Sequence, residues 1–162
     1  MPESLTQMLQ SAVARESANL RRITEAQALE RPPKPGAWSR KEELGHLIDS
    51  AANNHLRFVR GSFEQEFRGP GYSQDDWVRA HGYHELPWPA LLDFWESYNR
   101  LLVEVVRRIP AERLETKCFI GSGQMVTLGF VIEDYVLHMQ HHIDHILRRE
   151  KITAYPGAAL GT

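Results

Sequence analysis

The stretch WPALLDFWESYNRLLVEVVRRIP, residues 88 to 110, carries the most regular apolar pattern in the chain. Leu91, Trp95, Tyr98, Leu102, Val105 and Ile109 follow a 4-3-4-3-4 spacing. At 3.6 residues per turn this spacing lays one continuous stripe along a helix, the arrangement that packs into a bundle. It predicts a helix over 88–108, closed by Pro110. Working outward, apolar residues recur at three- and four-residue steps in three further long segments, whereas no segment alternates long enough to build a large sheet. A first helix is expected over about 3–23, with Leu5, Met8, Leu9, Ala12, Val13, Leu20 and Ile23 on one side. Thr24 and Gln27 form a capping-box pattern for a short turn of helix before the breaker RPPKPG. Ser39 and Glu42 form a second box that opens a helix running to about 67. Ser73 to Asp76 then starts a short helix carrying Trp77, inside a long connection of the kind that walls sites. KCFIGSGQMVT, residues 117–127, reads as a small hairpin about Gly121 to Gly123, and Thr127 caps a last helix over 128–150. The tail from about residue 153 is expected to be loosely held. Four long helices, one crossing connection and a minor hairpin make an all-α four-helix bundle, a single domain over 1–162.

Composition narrows the function. The length suffices for one hydrophobic core. No apolar run approaches the ~18 residues of a membrane span, and MPESLTQML lacks a basic-then-apolar signal pattern, so a cytoplasmic protein without a membrane partner is expected. A net charge of −2 with scattered cations offers no footprint for nucleic acid. The single Cys118 reads as a small apolar residue rather than a thiol catalyst.

The chemistry-bearing feature is VLHMQHHIDHIL, residues 136–147, which holds four of the chain's eight histidines. At about 100° per residue, His138 and His142 lie about 40° apart, one turn above the other, a spacing suited to two ligands of one metal. His141 and His145 have the same spacing, so spacing alone does not choose. Both His138 and His142 border the apolar stripe of Leu128, Tyr135, Met139 and Ile146, while His141 points most toward water. Neutral imidazole is a good ligand for zinc, nickel or iron. A catalytic zinc takes about three protein ligands, so a third must come from elsewhere. Among His46, His55, His81 and His84, none is selected by spacing. On the wheel His46 falls on a polar strip with Glu42, Ser50, Asn53 and Arg57, which reads either as solvated or as the lining of a groove between helices. His55 reads as a half-buried structural residue.

The segments GAWSRKEELGHLIDS (36–50) and YVLHMQHHIDHI (135–146) resemble the DinB-like superfamily, in the branch named for metal-dependent hydrolysis that includes bacillithiol S-transferases. The likeness extends in order through the Pro35-Gly36 and Trp38 loop, Tyr72 with Trp77, and Pro110 with Leu114. It implies a metal triad of His46, His138 and His142, thus making His46 a ligand. Many members continue with Gly-Gln after the paired histidines, where this chain has Asp144-His145. His145 then becomes a substrate-side catalytic base or an alternative ligand. Asp49, one turn beyond His46, is either an acceptor that orients an imidazole or an exposed carboxylate.

Three neutral imidazoles on a divalent ion, zinc or nickel foremost and iron or manganese as alternatives, leave a position open for chemistry. Such a centre lowers the pKa of bound water for hydrolysis or binds a thiol as thiolate. The resemblance implies both, with transfer of a low-molecular-weight thiol to a small-molecule substrate ahead of hydrolysis, and implies a homodimer. The rival is a non-catalytic bundle that holds a metal or ligand. A di-iron bundle would need a second Glu-x-x-His beside Glu43 and His46, and a c-type haem would need CxxCH; the chain has neither.

Overall fold

A computed structural model describes residues 2–150 and 153–155, with side chains from residue 5 onward. The chain runs α1 (Pro2–Leu20), α2 (Glu25–Ala28), α3 (Arg40–Phe63), β1 (Glu66–Gly69), α4 (Gln74–His81), a 3-10 turn (Tyr83–Glu85), α5 (Trp88–Arg107), a second 3-10 turn (Ala111–Glu115), β2 (Lys117–Ile120), β3 (Val126–Thr127) and α6 (Leu128–Ile146). Four long helices form the expected bundle. Helices α1 and α3 each pack against both α5 and α6, so going round the bundle the order is α1, α5, α3, α6. The chain therefore crosses a diagonal between α1 and α3 and again between α5 and α6, which is why short hairpin loops cannot connect it.

Local chemistry sets the helix starts. Ser39 accepts from the Glu42 N–H while the Glu42 side chain accepts from the Ser39 N–H, and Thr24 with Gln27 repeats the box. Thr127 caps α6 by accepting from the Phe130 N–H. Three ends fall short of the periodicity. Helix α1 stops at Leu20, because Thr24 needs extended backbone to cap α2. Helix α3 stops at Phe63 rather than 67, because Glu66–Gly69 forms a strand paired in parallel with β2, with Phe67 buried. Helix α6 stops at Ile146, and Arg148 adopts φ +50, turning Arg149 back onto the buried carboxylates of Glu16 and Asp144. The expected hairpin is present as β2 and β3, antiparallel, but β1 extends it to three strands in the order β1-β2-β3.

The α5 stripe carries Leu91, Trp95 and Leu102 into a core shared with Leu9, Leu20, Leu44, Phe58, Leu128, Val131 and Ile143. Cys118 is fully buried within it, and burial pushes its thiol up to about 11. Of the tail, the Thr153 N–H donates to Asp144 Oδ2, and the Tyr155 ring lies against His138 and His141. Residues 156–162 lie outside the described residues. No described helix is long and apolar enough to cross a membrane.

Candidate metal centre

Helices α3 and α6 run antiparallel: His46 meets His138 and His142 near one end, and Gly61 meets Leu128 near the other. Their facing strips are polar where two turns of each helix cross. His46 Nε2 lies 3.1 Å from His138 Nε2, and ring centroids stand 5.0 Å apart for His46 and His138 and 4.5 Å for His142 with each of the other two. One ring nitrogen from each of the three falls within 4.8 Å of the others. His46 is fully buried, against its wheel reading as solvated; the groove between helices is the alternative that the fold realises. Trp38, delivered by the proline-rich loop, covers its ring at 5.0 Å.

Burial, and then the charge of neighbouring imidazoles, hold His46 down at about 2 and His138 and His142 down at about 3. All three are therefore neutral at pH 7, the form that ligates. Two imidazole nitrogens held about 2.0–2.1 Å from one ion at angles between about 90° and 110° stand about 2.8–3.4 Å apart, and the observed 3.1 Å falls in that window. The donor set thus fits a divalent ion. Among the described residues the group contains three ligand-type side chains and no fourth.

Glu43, one turn before His46, is mostly buried and accepts from His142 Nδ1 at 3.0 Å and from His145 Nδ1 at 3.2 Å. This fixes the His142 tautomer, with Nε2 left free to face the other two histidines. Burial raises the Glu43 carboxyl, with His145 opposing that shift. Glu43, His142 and His145 make a second convergent group at the rim. In the sequence Glu43 stands only in an incomplete di-iron pattern, and its position at i−3 from His46 is the available signal. His145 is the exposed member of the cluster, at 40%, whereas His141 is half-buried between His142, His145 and Tyr155. His145 rather than His141 is thus the side chain most open to water, because the tail folds over His141.

Asp49 is buried at 1% exposure, which removes the exposed-carboxylate alternative. Its Oδ1 accepts from the Tyr83 hydroxyl at 2.6 Å and from His81 Nδ1 at 3.1 Å. Burial raises its carboxyl, and these two partners oppose the rise. Behind it lies a recess of about 440 Å³ between α3, α4 and α5, lined by Ile48, Ala52, Trp77, Phe94 and Tyr98. His84 bonds Ser39 Oγ and His55 bonds the Tyr98 hydroxyl, so neither joins the centre.

Three histidines converging between two helices of a bundle form a group that could hold a metal ion. The DinB superfamily model matches residues 8–146, and the chain belongs to that family. A Bacillus cereus protein named "Putative metal-dependent hydrolase" is 25% identical over 123 residues, 76% of this chain and 70% of its own length. A Bacillus pumilus protein of the same name is 29% identical over 125 residues, with the same coverage of each. Among solved structures, YfiT from Bacillus subtilis, named a probable metal-dependent hydrolase with an unusual four-helix bundle topology, superposes with TM-score 0.77 at 20% identity. The superposition covers 91% of this chain and 84% of YfiT. The mycothiol-dependent maleylpyruvate isomerase superposes with TM-score 0.69 at 14% identity, over 95% of this chain and 62% of that one.

Proposed function

We propose that the chain is a divalent-metal-dependent enzyme in which His46, His138 and His142 hold one ion, zinc or nickel foremost, and that it transfers a low-molecular-weight thiol to a small-molecule electrophile. The observation that carries this reading is three neutral imidazoles converging with no fourth protein ligand among the described residues, at a rim that is open through His142 and His145. A closed structural site would have a fourth ligand. When bound, the ion would stabilise a thiolate or hydroxide at neutral pH. The chain's own residues would do the rest. Glu43 holds the Nδ1 proton of His142 and so keeps that ring in its ligating tautomer. His145, exposed and bonded to the same carboxylate, is placed to take the proton from an incoming thiol or water and hand it to solvent. Trp38 excludes water from the inner face of His46.

Thiol transfer stands ahead of hydrolysis because one of the superposing folds belongs to a mycothiol-dependent enzyme, whereas the hydrolase names of the sequence relatives favour water as the nucleophile. A cytoplasmic location and a homodimer belong to the same reading. Elemental analysis of protein purified without chelators should find about one metal per chain, and His138→Ala should lose it. The metal-loaded protein should then consume a bacillithiol- or mycothiol-type thiol with an electrophile. Loaded protein that turns over neither thiols nor esters would favour the non-catalytic bundle; protein that neither contains nor tightly binds a divalent ion would overturn the reading.

A further inference from the structure

Two of the five buried side-chain atoms without a hydrogen-bond partner among the described residues sit one turn apart on the same helix: His46 Nδ1 and Asp49 Oδ2. Side chains three residues apart on a helix are neighbours, with Cβ atoms about 5–6 Å apart. The two orphans are complementary. With Nε2 turned to His138 and His142 as a lone pair, His46 carries its proton on Nδ1, a donor, and the Asp49 oxygen is an acceptor. Leaving both unpaired in the interior is unfavourable, since neither recovers the hydrogen bond it would make in water.

The other half of Asp49 is already fixed from the opposite side. Tyr83 and His81, from the connection between α3 and α5, both bond Oδ1. The Tyr83 ring in turn is seated on the bare backbone of Gly45, where an added Cβ would meet ring carbons at 2.0–2.5 Å. The carboxylate is therefore held in place by groups that have no part in the histidine cluster, with its free oxygen on the helix that bears His46. Glu43 does for His142 what this arrangement offers His46.

We propose that Asp49 is the positioning residue of His46: its Oδ2 accepts the His46 Nδ1 proton when the ion is bound, and Tyr83 and His81 hold the carboxylate for that bond. The inference rests on the reading of His46 as a ligand. It makes a relay of Tyr83 and His81, Asp49 and His46 that joins the wall of the apolar recess to the metal centre. A metal-ligating histidine ordinarily has such a partner, and loss of one weakens metal binding about 10–100-fold.

The test is zinc affinity, measured by competition with a chelator, together with the imidazole nitrogen signals of the ¹⁵N-labelled zinc-loaded chain. The wild type should bind zinc, and its His46 should show a protonated, slowly exchanging Nδ1 and a metal-bound Nε2. Asp49→Ala should weaken zinc binding 10–100-fold and speed exchange of that proton, Asp49→Asn should recover part of the affinity, and Tyr83→Phe should lose less than either, all with helical circular dichroism unchanged. Zinc bound by Asp49→Ala within threefold of the wild type would overturn the inference while leaving the ligand set standing, as would a His46 bound through Nδ1. Failure of the folded wild type to bind zinc would overturn both together. The nitrogen signals keep the test decisive should Asp49→Ala misfold.

Discussion

The Nε2 atoms of His46 and His138 face each other at 3.1 Å across the seam between α3 and α6. Two helices that meet 92 residues apart in sequence thus bring two lone-pair atoms to the separation that a shared cation requires, with burial keeping both rings neutral.

Removal of either partner should abolish stoichiometric metal. His46→Ala and His138→Ala should each drop the metal content from about one per chain to near zero, whereas His141→Ala, whose ring packs on His145 and Tyr155 at the flank, should keep it. Elemental analysis of the three variants decides; retention of metal by His46→Ala would remove that residue from the ligand set.

Glu43 orients His142 through a charge-assisted bond at 3.0 Å. Glu43→Gln should lower metal affinity by about tenfold or more without changing the fold, since it weakens the acceptor that fixes the ligating tautomer. Calorimetric titration with zinc measures it, and an affinity equal to the wild type would show that His142 needs no such partner.

Acid should destabilise the metal-free chain. His46 at about 2 and His138 and His142 at about 3 all lie below the ordinary 6.5, so the unfolded chain takes up protons first. Stability present above pH 6.5 is then lost as pH falls toward 3, by up to ~1.4 kcal/mol per pH unit for each histidine. Asp134 acts oppositely: burial raises it from 3.8 to about 6, so its contribution is present below 3.8 and disappears as pH rises through 6. Burial raises Glu43 and Asp49 in the same direction as Asp134, but the three histidines are displaced furthest from their ordinary values and set the sign. Thermal melts of the chelated protein at pH 7.5, 6 and 5 should show a falling Tm; a flat or rising Tm would mean that the three rings are not held neutral.

Gly45→Ala should be costly. Its Cβ would enter the Tyr83 ring, and since that ring is pinned by Asp49, relief requires a shift of the 3-10 turn. Overpacking of this kind costs about 1–3 kcal/mol. Urea unfolding should show a lower midpoint at unchanged slope.

Arg149 bridges Glu16 and Asp144, both fully buried, and is itself a quarter exposed. Arg149→Ala leaves the buried Asp144 without its cation and Glu16 with Arg15 alone, for a loss of about 3 kcal/mol. Chemical denaturation tests this, and a change under ~1 kcal/mol would show that water replaces the guanidinium there.

The α5 stripe and the capping residues Ser39, Thr24 and Thr127 made the bundle legible, because burial periodicity and orphan N–H groups act within one helix. The pairing of β1 with β2 was not legible, since Glu66–Gly69 becomes a strand only by meeting a partner some fifty residues away. The site divides in the same way. His138 and His142 stood out by an i, i+4 spacing that borders the apolar stripe of α6, whereas the wheel left His46 between water and a groove and gave Glu43 no role. By itself, then, the sequence determined the helices, their caps and which pair of histidines shares a face, all of which are short-range properties. Only the tertiary structure decided that the polar strip of α3 is closed against α6, that Glu43 reaches His142 and that Asp49 is buried beneath Tyr83. A wheel knows the direction a side chain points, but burial depends on what another helix brings to that side.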